Sequence, residues 1–227
     1  MSFTPVKSFL IGAALVTPVL AMAQNATVNV IHGIRGQDLG LAANLPVDIF
    51  VNGNRALPGV TFGQQARVEL PRGDYRIDIA LAGTTTPVIT ANVRFGNREN
   101  ATVIAHLTAA GAPTATKFRN HITNHFAGSF VPVTLHHTAA APAVDVYARL
   151  GGFIFVPVVN NLRNGGRREL IVRSGGTTLA VTPRGQFNAV LGPATFNFAA
   201  NKNHFVYVVG SVAGAAGNTL TVIADEQ

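Results

Sequence analysis

Residues 46–50 read Pro-Val-Asp-Ile-Phe, and residues 143–147 read Ala-Val-Asp-Val-Tyr. Apolar and polar residues alternate in the first stretch, so Val47, Ile49 and Val51 share one face of an extended chain and Asp48 lies on the other. Such alternation is typical of a half-buried β-strand. Its recurrence indicates that the same strand occurs twice in the chain.

The rest of the chain has the same strand character. Residues 75–81 (Tyr-Arg-Ile-Asp-Ile-Ala-Leu) also alternate. Short β-branched runs recur at Thr27–Ile31, Arg67–Leu70, Val88–Phe95, Thr102–Leu107, Val131–His136, Glu169–Arg173, Phe205–Val209 and Thr219–Ile223. With 23 glycines, 12 prolines and no long amphipathic helix pattern, the chain is predicted to form a sandwich or a barrel.

An internal repeat sets the number of domains. Val30-Ile31-His32 matches Thr134-Leu135-His136, and Phe95–Ala105 aligns without gaps with Phe198–Val208. A period near 100 residues indicates a domain duplication, and about seven strands per half are typical of an immunoglobulin sandwich. The predicted fold is all-β: two tandem immunoglobulin-like β-sandwich domains after a signal peptide. We place them at residues 24–119 and 130–227, with a linker at 120–129.

The N-terminal 23 residues have the organisation of a secretory signal peptide. Lys7 is followed by the apolar run Phe9–Val16 and then by Ala21-Met22-Ala23, an A-x-A cleavage pattern. Removal of this segment lowers the net charge of the 227-residue chain from +7 to +6, because Lys7 is lost. We therefore expect export to the periplasm, the cell surface or the medium. No later apolar stretch predicts a transmembrane helix.

Composition argues against several classes of protein. A hydrophobic content of 48% with 12% charged residues excludes a disordered chain, and the absence of cysteine excludes disulfides, thiolate metal sites and cysteine nucleophiles. None of the G-x-S-x-G, S-x-x-K, H-E-x-x-H or Walker A motifs occurs. We predict that the protein is not an enzyme and that it needs no cofactor.

The repeated strand motifs described above resemble the DUF4397 family of secreted bacterial proteins. The family pattern of a histidine, a small Pro/Ala loop and Val-Asp-Val-Tyr corresponds to Val30–Gly33 with Pro46–Gly53, and again to Leu135–Tyr147. The later Leu-Pro-x-Gly-x-Tyr hairpin corresponds to Leu70–Tyr75, whereas Leu162–Gly165 in the second copy lacks the proline and the tyrosine. The resemblance implies export and a β-sandwich, and it implies no chemistry.

The family-motif residues His32, Asp48, His136 and Asp145 have two interpretations. A His/Asp pair in each half could bind a metal or a small ligand. Alternatively, each aspartate accepts backbone N–H bonds from the loop that follows the histidine strand. We favour this structural role, because features kept in both copies of a duplication more often serve the fold.

A second candidate is a metal site near the domain junction. His121 and His125 are four residues apart, and His136 and His137 follow soon after. Imidazoles are common zinc ligands, yet nearby carboxylates are missing. A solvated linker is the favoured interpretation of the first pair.

Arginine supplies the third candidate site. The chain has 14 arginines, and Arg163, Arg167, Arg168 and Arg173 cluster within eleven residues, while Arg72, Arg76, Arg94 and Arg98 form a looser set. Clustered guanidinium groups favour polyanions such as acidic polysaccharide or lipopolysaccharide. No nucleic-acid motif accompanies the charge, so sequence-specific DNA or RNA binding is not expected.

The aromatic residues weaken one further interpretation. The chain has 14 phenylalanines, three tyrosines and no tryptophan, a set that favours a core over a carbohydrate-binding platform. The leading functional hypothesis is therefore an exported, non-catalytic binding or adhesion module that contacts acidic polymers through arginine-rich loops. The alternatives are a structural protein that self-associates through sandwich edges as a homo-oligomer, and a periplasmic metal-binding protein.

Overall fold

A computed structural model describes residues 25–123, 129–150 and 154–227. The predicted signal peptide and the middle of the predicted linker, including His125, lie outside these residues. Within them every regular element is a strand, apart from one 3-10 helix at Gly36–Leu39. No helix in this part of the chain is long and apolar enough to cross a membrane.

Each half of the chain forms eight strands. The first half contains β1 (Ala26–His32), β2 (Val47–Val51), β3 (Asn54–Val60), β4 (Gln65–Leu70), β5 (Gly73–Leu81), β6 (Pro87–Phe95), β7 (Asn100–Leu107) and β8 (Pro113–Arg119). The second half contains β9 (Phe130–His137), β10 (Val144–Leu150), β11 (Ile154–Leu162), β12 (Arg167–Arg173), β13 (Gly175–Pro183), β14 (Leu191–Phe198), β15 (His204–Val209) and β16 (Thr221–Glu226).

The strands pair into four sheets of four, two in each half. The first sandwich combines the sheets β4-β1-β7-β8 and β3-β2-β5-β6, and the second combines β12-β9-β15-β16 and β11-β10-β13-β14. The same strand order in both halves confirms the predicted all-β fold with two sandwich domains. Within each half one pair is parallel, β1 with β7 and β9 with β15, and the others are antiparallel.

The prediction of about seven strands per half was one too few. The short apolar runs and alternating stretches did not indicate β3, β8, β11, β13 or β14, and all of these except β13 lie at sheet edges. Pro58 and Gly59 interrupt the pattern of β3. An edge strand tolerates such residues because one side of it makes no ladder hydrogen bonds.

Each sandwich has its own apolar core. Alternate residues of the central strands point inward, for example Val28 and Val103 in the first sandwich, and Val133 and Val206 in the second. The register places Val30 beside Val103 and Leu135 beside Val206, so the two cores have the same construction.

A third apolar cluster lies between the sandwiches. It combines outward-facing residues of β1 and β7, such as Ile31 and Ile104, with Phe205, Tyr207 and Val209 of β15. We call this contact the interdomain interface. As a result β7 and β15 are buried on both faces along almost their whole length.

Polar contacts at the edges of the interdomain interface follow an approximate two-fold relation. Arg67 of β4 lies 3.1 Å from Asp225 of β16, and Arg167 of β12 donates a hydrogen bond to the carbonyl of Arg119 in β8. Strand β4 corresponds to β12, and β16 corresponds to β8. The contact between β4 and β16 is therefore repeated between β12 and β8. The two copies therefore pack as the subunits of an isologous dimer do.

The interdomain interface leads to a stability prediction. Phe205→Ala removes a side chain that is only 1% exposed, and we expect it to lower the free energy of unfolding by about 3–5 kcal/mol. The matched control is Ile171→Ala, whose side chain is 69% exposed and whose effect should stay within about 0.5 kcal/mol. Chemical denaturation of both variants measures the difference, and equal effects would show that this contact does not stabilise the fold.

Candidate functional site

Asp48 accepts three sets of hydrogen bonds. Its Oδ1 accepts the N–H of Gly59 in β3 at 2.8 Å, and its Oδ2 accepts the N–H of Gly83 at 3.0 Å. Arg55 adds a forked contact, at 3.2 Å to Oδ1 and 3.1 Å to Oδ2. The two backbone N–H groups hold the pKa of Asp48 below its usual value.

Asp145 repeats this arrangement in the second sandwich. Its carboxylate accepts the N–H of Asn161 at 2.7 Å and that of Gly185 at 2.8 Å, and these two bonds lower its pKa. Asn161 and Gly59 both have a positive φ, of 55° and 62°, in the strand beside the aspartate. In each sandwich one backbone donor lies in the strand beside the aspartate, and the other lies in the turn after β5 or β13. Neither donor lies in the loop after the histidine strand, where the sequence analysis expected both.

The histidines of the repeat correspond differently from the sequence match. His32 pairs with Ala105 in the β1–β7 ladder, and His137 pairs with Val208 in the β9–β15 ladder, so His32 corresponds to His137. His137 donates from Nε2 to the carbonyl of Pro142 at 2.9 Å. Burial lowers the pKa of His32, and a backbone hydrogen bond at Leu45, the counterpart of Pro142, partly offsets this effect.

His136 corresponds to Ile31 and lies in the interdomain interface. It stacks on Tyr207 at a centroid distance of 4.3 Å and meets the edge of Phe118 at 4.5 Å. Burial and the nearby charge of Arg167 lower the pKa of His136 to about 3. The predicted equivalence of His32 and His136 is therefore wrong, and the described residues form no His/Asp pair.

The proposed metal ligands do not converge. His136 faces the other sandwich and His137 faces its own core, because neighbouring strand residues point to opposite sides. His121 is exposed and lies 3.7 Å from Glu169. In the described part of the chain, no three histidine, aspartate or glutamate side chains form a metal-binding group.

The four clustered arginines also separate. Arg163 lies in the turn after β11, while Arg167 and Arg173 lie at opposite ends of β12, about 20 Å apart. Arg168 donates to the carbonyl of Arg167 at 3.0 Å. Of the four, Arg167 donates a hydrogen bond to the carbonyl of Arg119 in the first sandwich, across the junction of the two domains.

A pocket of about 430 Å³ lies at that junction. Arg98, Arg119, Arg167 and His121 line it together with Glu99, Asn100, Asn120 and Ile122. We call it the basic pocket. The second sandwich contributes Arg167, and the other lining residues lie within 98–122, so the pocket is complete only when the two domains pack together.

Glu99 is the only carboxylate among the described residues that line the basic pocket, and it is already paired. Glu99 lies 2.7 Å from Lys117 and accepts the N–H of Gly96 at 2.7 Å. Burial raises the pKa of Glu99, but the bonds from Lys117 and Gly96 outweigh burial and lower it overall. The three guanidinium groups therefore leave an excess of positive charge.

Sequence reasoning missed most of this pocket. Arg167 belonged to the clustered set and Arg98 to the looser one, but Arg119 belonged to neither. The three residues are far apart in the chain, and no spacing rule connects them. The available signal was the apolar run Phe205–Val209 of β15, since a strand without alternation indicates that both faces are covered.

The profile of the family described as "Domain of unknown function (DUF4397)" matches residues 26–147. The chain belongs to the DUF4397 family. The match spans the whole first sandwich and continues into β9 and β10 of the second. The sequence matches no curated protein.

Two solved structures share a distant similarity with this DUF4397 protein. The Bacillus anthracis TIE protein is 11% identical with a TM-score of 0.26, over 82% of this chain and 33% of the other. A family 26 carbohydrate-binding module from Eubacterium rectale, solved with maltoheptaose, is 12% identical with a TM-score of 0.26, over 87% and 95% of the chains. The chain thus spans a third of the first protein, and scores this low indicate nothing about its ligands.

The carboxylate geometry predicts a large effect of Asp145→Ala. Two backbone N–H groups would lose their acceptor, so the free energy of unfolding should fall by about 3 kcal/mol. Asp74→Ala is the control, because that side chain is 76% exposed and its ion pair with Arg94 is long, at 3.8 Å. Urea denaturation of both variants measures the difference, and a small loss for Asp145→Ala would contradict its structural role.

The buried imidazole of His136 predicts a loss of stability in acid. Its pKa in the folded protein is about 3, against an ordinary 6.5, so only the unfolded chain binds the proton between these values. Stability should therefore fall as the pH drops from 6.5 towards 3. We expect His136→Phe, which keeps an aromatic ring at this position, to reduce the loss between pH 7.5 and 4.5 by about 2 kcal/mol. An unchanged loss in denaturation at the two pH values would contradict this assignment.

Proposed function

We propose that this DUF4397 protein is an exported, non-catalytic binding module that contacts acidic polymers through the basic pocket. One observation carries the proposal: Arg98, Arg119, Arg167 and His121 come together from two domains around a carboxylate that is already paired. Guanidinium groups bind carboxylate and phosphate through two parallel N–H donors. Acidic polysaccharide and lipopolysaccharide both present such groups on a sugar chain.

The backbone of Arg98 supports a role in binding. Arg98 has a φ of 50°, in the left-handed region, and its counterpart in the second sandwich is Asn201 with a φ of 59°. Asparagine tolerates this conformation, whereas it costs most other side chains roughly 1–2 kcal/mol. An arginine at a position that favours asparagine is therefore consistent with a selected charge.

The remaining parts of the proposal concern location and domain organisation. The N-terminal segment with Lys7, its apolar run and Ala21-Met22-Ala23 supports export to the periplasm or the cell surface. The shared strand order supports a second DUF4397 unit at residues 130–227. A net charge of +6 after removal of the signal peptide would attract acidic polymers at long range.

Titration with polygalacturonate and with lipopolysaccharide tests the proposal. We expect the protein to bind at least one of the two and to lose affinity at high salt. Arg98→Asn/Arg119→Gln should weaken binding roughly tenfold. Arg98→Asn alone should raise the free energy of unfolding by about 1 kcal/mol, because it relieves the backbone strain, while it still weakens binding.

The control Arg163→Gln/Arg173→Gln removes the same charge outside the basic pocket. It should leave affinity nearly unchanged, and an equal loss in both double variants would favour diffuse attraction by the arginines as a group. No binding of either polymer, together with oligomers that grow with protein concentration in light scattering, would overturn the proposal in favour of a self-associating structural protein. Stoichiometric metal after dialysis would favour the metal-binding alternative.

A further inference from the structure

The second sandwich carries a cleft of about 400 Å³ on the outer face of the sheet β11-β10-β13-β14. Tyr147, Phe155 and Phe187 line it together with Thr182. We call it the aromatic cleft. Ala180, which also lines it, pairs with Tyr147 in the β10–β13 ladder, and its small side chain leaves space beside the tyrosine ring. The volume lies in the range of small-molecule sites, ~300–1,000 Å³.

The rings of the aromatic cleft leave apolar surface in water. Phe187 is 87% exposed, and Phe155 is also exposed. The ring centroids of Tyr147 and Phe187 are 6.5 Å apart, with the planes tilted by 54°. A ligand that covers these rings gains ~25 cal/mol for each square ångström of apolar surface removed from water.

Thr182 supplies a polar group at the same place. Its side chain is only 3% exposed, and its Oγ1 makes no hydrogen bond with the described residues. Strand alternation puts Thr182 on the same face of β13 as Ala180. A buried hydroxyl without a partner is unfavourable, and a ligand that offers a hydrogen-bonding group removes that cost.

The first sandwich does not keep the residues that form this cleft, so the fold does not require them. Phe50 occupies the position of Tyr147, but it pairs with Asp78 instead of an alanine. Asp78 accepts hydrogen bonds from Arg76 and Thr90, which makes that face polar. The turn that carries Phe187, residues 184–190, is also longer than its counterpart at 82–86.

We propose that the aromatic cleft binds a neutral hexopyranose unit of a glycan. The C–H face of the sugar ring would pack on Phe187 and Tyr147, and a sugar hydroxyl would pair with Oγ1 of Thr182. No charged side chain of the described residues lines the cleft, which disfavours an anion. An acyl chain would cover the rings but leave the Thr182 hydroxyl without a partner. The proposal does not depend on the basic pocket.

Isothermal titration with maltopentaose, cellopentaose, mannopentaose and galactopentaose tests the inference. We expect at least one of them to bind with an affinity that high salt does not change, which separates this site from the basic pocket. Phe187→Ala should weaken binding roughly tenfold, and its exposed side chain makes misfolding unexpected. Thr182→Val keeps the shape of the side chain and should weaken binding by about fivefold through the missing hydroxyl.

Phe130→Ala is the matched control, since Phe130 is an exposed phenylalanine at the start of β9 that does not line the cleft. It should leave affinity unchanged. Binding to none of the four sugars, or sugar binding that survives Phe187→Ala, would overturn the proposal. Tighter binding of decanoate than of any sugar, lost in Phe187→Ala but kept in Thr182→Val, would also overturn it and would assign the cleft to an apolar chain.

Discussion

The packing of two sheets across the interdomain interface is the contact on which the rest of the structure depends. Ile31 and Ile104 of one sandwich meet Phe205, Tyr207 and Val209 of the other, so β7 and β15 at the centre of the molecule are covered on both faces. Burial of apolar surface drives this association, as it does between the two sheets of each sandwich. The basic pocket lies at the edge of the same contact, and Arg167 would separate from Arg98 and Arg119 if the sandwiches came apart.

The two sandwiches share their strand framework and differ in surface side chains and in turn lengths. Asp48 and Asp145 hold corresponding strands and turns through backbone N–H bonds, and His32 and His137 occupy corresponding ladder positions. The two aspartates are satisfied by the fold, because both oxygens of each carboxylate accept backbone N–H bonds. The features available for binding lie where the copies diverge. Arg98 replaces the asparagine found at 201, and the Phe187 turn extends the second copy alone.

The two candidate sites differ in physical character. The basic pocket is charged and shared by both domains, so salt and domain packing should both influence it. The aromatic cleft is uncharged among the described residues and belongs to one sandwich. A module with both sites could hold the charged and neutral units of one glycan, and such bivalent binding raises the overall affinity above that of either site alone.

Local sequence patterns were sufficient for the fold class and for every central strand except β13. The alternation around Asp48 and Asp145 identified β2 and β10, because a period of two is a property of the chain itself. The edge strands β3 and β11 escaped detection, since their residues are only partly buried and the pattern is weak. The sequence alignment matched His32 with His136, one residue before its structural counterpart His137. The ladder partners Ala105 and Val208 define the correct match, and they are known only from the strand pairing. Tertiary packing alone decided that His136 faces the other domain, that Arg98, Arg119 and Arg167 meet, and that Thr182 is buried without a hydrogen-bond partner among the described residues. Each of these depends on which surfaces meet in space, and residues distant in sequence carry no local signal of that meeting.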